Sequence, residues 1–129
     1  RQTYSPSQII LYGESMGAPI ATYIARRYSI PTLILESSLP SIQSIIKYKY
    51  PMFSFMSFLF PEFNTSTYLR GFQGRSLLLH SRTDEMIPYQ STVELQELCT
   101  AHIPMDGSHN NPLVPWNQIK QFIEGVRGA

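Results

Sequence analysis

The join at residues 8–28 constrains the fold of this chain more than any other stretch. Residues 8–12 (QIILY) form a β-branched apolar run that stops at Gly13, which predicts a buried strand. Within residues 18–28 (APIATYIARRY), Ile20, Ala21, Ile24 and Ala25 recur at helical spacing. Arg26 and Arg27 fall in the last turn of that helix, where cations suit the helix dipole. Pro31 then precedes a second apolar run, residues 32–36 (TLILE), the next strand. Strand, turn, helix, strand is a parallel βαβ unit.

The pattern resumes further on. Residues 76–80 (SLLLH) read as a strand, 89–98 (YQSTVELQEL) as a helix and 101–105 (AHIPM) as a short last strand. Residues 116–126 close the chain as a helix with Trp116, Ile119, Phe122, Ile123 and Val126 on one face. Between these halves, residues 37–75 break the rhythm with prolines at 40, 51 and 61 and six aromatics between Tyr48 and Phe60. That stretch reads as an insertion or cap of one or two irregular helices over the sheet. It is expected either to form its own small core or to line an acyl-binding pocket or a membrane-facing surface. The fold class is α/β with a mainly parallel sheet and flanking helices.

Composition narrows the function. The 129 residues are 43% hydrophobic with a net charge of +1, which argues against a disordered chain. The basic residues are scattered, so no nucleic-acid footprint is present. Cys99 is the single cysteine, which excludes an intramolecular disulfide and a multi-cysteine zinc site and fits a reducing compartment. No run reaches the ~18 apolar residues of a membrane span.

Gly13-Glu14-Ser15-Met16-Gly17 is a G-x-S-x-G motif. Chance alone produces one in a chain of this length roughly once in 25 sequences, so the motif by itself is weak. Its position is more telling, because it follows a strand and opens a helix, as a nucleophile elbow must. There a strained turn lifts the serine hydroxyl clear of the sheet, and side chains at 13 and 17 are expected to collide with neighbouring backbone. A plain Gly-rich turn is the competing reading.

A serine needs a base to remove its proton. The histidines are His80, at a strand end; His102, inside a short strand where packing or pairing is expected; and His109. His109 sits in the Gly-containing loop of residues 106–111 after the last strand, where ligand chemistry gathers in parallel sheets, and is the preferred base. The base in turn needs a carboxylate. Asp84, just past a strand end, is favoured, and Glu36, at the end of the second strand, is the alternative acid. Asp106 is expected to order the His109 loop. The order Ser15, Asp84, His109 is that of an α/β-hydrolase.

Three motifs together, strand–GESMG–helix, residues 77–88 (LLLHSRTDEMIP) and residues 105–110 (MDGSHN), make the chain resemble the α/β-hydrolase superfamily. The branch it most resembles is that of the serine hydrolases described as α/β-hydrolase domain-containing proteins 13 and 17. The likeness runs over residues 7–126. It implies hydrolysis of esters, thioesters or amides, with small-molecule or acylated, often lipid-like substrates. It also implies Ser15 as nucleophile, Asp84 as orienting acid, His109 as base and the Met16 backbone N–H as an oxyanion donor. No cofactor or metal is implied.

By the same resemblance the chain is expected to be the C-terminal part of one hydrolase domain, holding strands five to eight. The loop with the second oxyanion N–H would precede it, as would any membrane anchor, so the parent would be cytoplasmic or membrane-associated. The first strand is then expected at an exposed edge, and the isolated chain to be weakly folded and nearly inactive. The rival reading is a truncated, inactive interaction module on the same fold.

Overall fold

The computed structural model describes residues 3–38, 51–52, 64–85, 87 and 89–127. Strand β1 (Ile10–Glu14) leads through a tight turn into helix α1 (Gly17–Arg27), and β2 (Thr32–Glu36) follows. After the first gap come α2 (Thr65–Arg70), β3 (Arg75–Ser81), a 3-10 turn over Tyr89–Thr92 and α3 (Val93–Leu98). The chain continues through β4 (Ala101–Gly107), β5 (Pro112–Leu113) and α4 (Trp116–Arg127). The strands lie in the order β1-β2-β3-β4-β5, the first four parallel and β5 antiparallel to β4.

The centre of the sheet is buried on both faces, as a parallel sheet between helices requires. Every residue of β2 is buried, and side chains alternate between two cores. Leu33, Leu35 and Leu78 pack with Ala18, Ala21, Ala25, Leu69 and Leu95 beneath α1, α2 and α3. Ile34, Leu77 and Leu79 pack with Met105 and Ile119 beneath α4. The result is three layers with helices on both sides, and the α/β class with a mainly parallel sheet stands. β1 occupies one edge of the described sheet, with Tyr12 39% exposed.

Several local expectations need correction. β1 does not stop at Gly13 but runs through it to Glu14, because Gly13 and Glu14 pair with Leu35 and Glu36. Ile20 faces solvent at 51% exposure, and the buried stripe of α1 is Ala18, Ala21, Thr22 and Ala25 instead. Small residues there let the helix lie close on the strands. Trp116 is likewise outside the core, 64% exposed, while Ile119, Phe122 and Ile123 carry the buried side of α4. β4 extends to Gly107, and β5 was not expected. The expected insertion at 37–75 lies mostly outside the described residues, as do all of its aromatics from Tyr48 to Phe63. Among the described residues no helix is long and apolar enough to cross a membrane.

Candidate active site

The site lies at the C-terminal ends of β1, β3 and β4. Ser15 follows β1 directly and holds φ = 52°, a left-handed conformation that is strained for a residue with a β-carbon. Two backbone bonds maintain it. The Ser15 N–H donates to the Glu36 carbonyl at 2.9 Å, and the Ser15 carbonyl accepts from Ala18 N–H at 3.1 Å. Gly13 makes the turn sterically affordable. A β-carbon there would sit 2.8 Å from Ala18 Cα and 2.9 Å from the Gly17 carbonyl oxygen. The matching expectation for Gly17 fails, since a β-carbon at that position meets nothing within 4 Å among the described residues. Met16 is the N-cap of α1, where a backbone N–H has no intrahelical acceptor.

The other half of the site comes from residues 25 apart. His109 Nδ1 lies 2.8 Å from Asp84 Oδ2, and His109 Nε2 lies 3.0 Å from Ser15 Oγ. A carboxylate can only accept, so the Nδ1 proton points to Asp84 and the Nε2 lone pair faces the serine hydroxyl. The Asp84 side chain is fully buried and that of His109 is 10% exposed, so water screens this pair little.

Each partner is held from behind. Ile87 N–H donates to Asp84 Oδ1 at 2.8 Å, and the Ile87 carbonyl accepts from His80 Nε2 at 3.0 Å. His80 is 2% exposed, and burial holds its imidazole below the ordinary histidine range. It therefore serves neither as an exposed base nor as a solvated cation. His109's own N–H donates to Glu85 Oε2 at 3.1 Å. The loop is anchored at its start, where Thr83 Oγ1 and Ser81 Oγ both donate to the Gly107 carbonyl. Gly107 has φ = 101°, and a β-carbon on it would lie 2.6 Å from the Asn111 carbonyl oxygen.

Glu36, the alternative acid, is placed differently. It accepts the Tyr12 hydroxyl at 2.6 Å, while the His109 ring bonds to Asp84. His102 lies within β4 as expected but is exposed rather than packed, and Asp106 belongs to β4, opposite Leu113, rather than to a loop. Cys99 caps α3, and burial pushes its thiol up to about 11, so it is not an activated nucleophile. Among the described residues no three His, Cys, Asp or Glu side chains are grouped to hold a metal ion.

Sequence reasoning missed Tyr12, Glu85 and Ser37. Glu85 could have been found from its position beside Asp84. Ser37 carried no assigned role, and it follows Glu36, whose carbonyl accepts the Ser15 N–H. It has φ = 49°, is 1% exposed, and its hydroxyl has no hydrogen-bond partner among the described residues.

No protein-family model matches the chain. An uncharacterised membrane protein of Saccharomyces cerevisiae is 29% identical over 93% of the chain. Human alpha/beta hydrolase domain-containing protein 17C is 27% identical over 95% of it. Among solved structures, an alpha-beta hydrolase from Vibrio vulnificus superposes over 97% of this chain and 49% of its own with a TM-score of 0.67 at 19% identity. The chain has the α/β-hydrolase fold, and these likenesses support its assignment to that superfamily. An esterase domain from a Rhodothermus marinus protein shares the fold with a TM-score of 0.59 at 14% identity, over 78% of this chain and 50% of its own. The chain spans 47% of the yeast relative and 38% of the human one.

Proposed function

We propose that this chain carries the catalytic residues of a serine hydrolase that cleaves esters, thioesters or amides through an acyl-enzyme. The observation behind the reading is the hydrogen-bonded series Ser15–His109–Asp84, with contacts of 3.0 and 2.8 Å. In the reaction, Ser15 Oγ attacks the substrate carbonyl while His109 Nε2 takes the hydroxyl proton. Asp84 holds the tautomer and stabilises the imidazolium. The Met16 N–H donates to the developing oxyanion, favoured by its place at the start of α1. His109 then returns the proton to the leaving group, and water repeats the sequence on the acyl-enzyme.

The substrate class rests on analogy with the esterase domain that shares the fold. Acylated molecules are the proposed substrates. Fluorophosphonate labelling tests the mechanism, since the probe reacts only with an activated serine. Wild-type protein should label at Ser15 and turn over p-nitrophenyl esters. Ser15→Ala should abolish labelling and lower kcat by about 10⁶-fold with the thermal transition retained. Absence of labelling in well-folded wild-type protein, within a full-length chain, would favour an interaction module on the same fold.

A further inference from the structure

Glu36 is the last residue of β2 and is 4% exposed. Two independent contacts join it to β1 and the turn that follows. Its main-chain carbonyl accepts the Ser15 N–H at 2.9 Å, and its Oε1 accepts the Tyr12 hydroxyl at 2.6 Å. One residue thus ties down the serine turn and the strand that leads into it. Strand alternation puts Tyr12 and Glu36 on the same sheet face as Ile10 and Ile34, the face covered by α4. Trp116, the first residue of α4, stacks on Tyr12 with ring centroids 6.3 Å apart. The segment carrying His109 leads through β5 into α4, so the helix that stacks on Tyr12 follows the base loop in the chain.

We propose that Tyr12 and Glu36 act as a positioning pair for the serine–histidine couple, holding the Ser15 turn and setting a second carboxyl group within reach of the His109 charge. The inference rests on the serine-hydrolase reading and deepens it. The groups facing Glu36 are Tyr12 and Glu14 from β1 and His109 from the β4–β5 connection. Burial raises the Glu36 carboxyl above the ordinary carboxylate range, the Tyr12 hydrogen bond lowers it, Glu14 raises it and His109 lowers it. Burial and the Glu36 contact raise the Tyr12 phenol well above its usual range, so it stays a hydrogen-bond donor. An ionised Glu36 favours the imidazolium that forms when Ser15 is attacked, as an opposite charge does for any titrating group. Asp84 remains the group that fixes the tautomer.

The test is an NMR titration of the His109 imidazole in the intact protein, paired with the pH dependence of fluorophosphonate labelling at Ser15. Glu36→Gln keeps an acceptor for Tyr12 and removes only charge. It should lower the His109 midpoint by about half a unit, a threefold change in protonation, with the acid limb of labelling moving the same way. The exposed His102 should not move and serves as the internal reference. Tyr12→Phe should shift His109 in the same direction by less. An unchanged His109 midpoint in Glu36→Gln overturns the proposal. If that variant does not fold, an unchanged midpoint in Tyr12→Phe overturns it instead. Failure of wild-type protein to label with a normal His109 titration counts against the serine-hydrolase reading, whereas the imidazole midpoints judge the pair separately.

Discussion

The serine side and the acid–base side of this site are built by opposite means. The serine side is contiguous: Gly13 to Ala18 form one turn between β1 and α1, and its geometry is held by steric fit, with a β-carbon at 13 excluded by backbone at 2.8 and 2.9 Å. The acid–base side is assembled from two strand ends. Asp84 and His109 are held by a web of hydrogen bonds through Ile87, Glu85, Thr83 and Gly107. A contiguous turn is rigid because its atoms have nowhere to go. A distributed one is rigid only while each polar contact is kept, and it can be tuned by chemistry at a distance.

The largest effect expected from breaking the distributed side is Asp84→Asn. The amide can still accept from Ile87 through its oxygen, so the loop should keep its shape. Its NH₂ now donates to His109 Nδ1, which moves the ring proton to Nε2 and leaves no lone pair for Ser15. A loss of about 10⁴-fold in kcat is expected. Glu36→Gln should cost far less, about tenfold or below, because it does not touch the tautomer. Steady-state kinetics on both variants decide which carboxylate orients the base, and a larger loss in Glu36→Gln would reverse the assignment.

Breaking the contiguous side should show in stability rather than in chemistry. Gly13→Ala forces a β-carbon against main chain that cannot yield, and a loss of about 2–3 kcal/mol is expected in urea melts. Gly17→Ala meets open space at the start of α1 and should be neutral or stabilise by about 0.5 kcal/mol. Equal losses at the two glycines would mean that the motif is required for flexibility, not for fit.

The same division decides what could be read from the sequence. The βαβ unit, the α/β class and the strand ends that carry Ser15 and Asp84 were legible, because periodicity and glycine placement are local signals. β2 matches residues 32–36 without adjustment, since all five side chains are buried and the run is bounded by Pro31. Ile20 and Trp116 misled because helical spacing identifies a stripe but not how close the helix lies to the sheet. Ala18 and Ala25, at 0% exposure, take the positions where larger residues would hold α1 away. β5 was invisible, since two residues carry no period. The bond between Tyr12 and Glu36 leaves no trace in the sequence, because a cross-strand side-chain bond depends on parallel register. Sequence spacing does not reveal that register.

The smallest effect concerns His80, which supports the distributed side from beneath. Its Nε2–H donates to the Ile87 carbonyl, its Nδ1 has no hydrogen-bond partner among the described residues, and Asp84 Oδ2 stands 3.9 Å from Nε2. Burial lowers its pKa from the ordinary 6.5, so the folded state binds its proton less readily than the unfolded chain does. Its contribution to stability is therefore complete above pH 6.5 and is lost as pH falls from there through the lowered folded-state value. Glu36 works in the opposite sense, since its raised pKa makes its ionisation costly as pH rises from 4.5. Comparing wild type with His80→Gln cancels the Glu36 contribution and keeps an amide donor for the Ile87 carbonyl. Urea melts from pH 7.5 down to 5 should show a shallower acid-side loss in His80→Gln than in wild type. Parallel curves would mean that His80 takes up its proton equally in both states, and that the Asp84 loop rests on Ile87 and Glu85 without it.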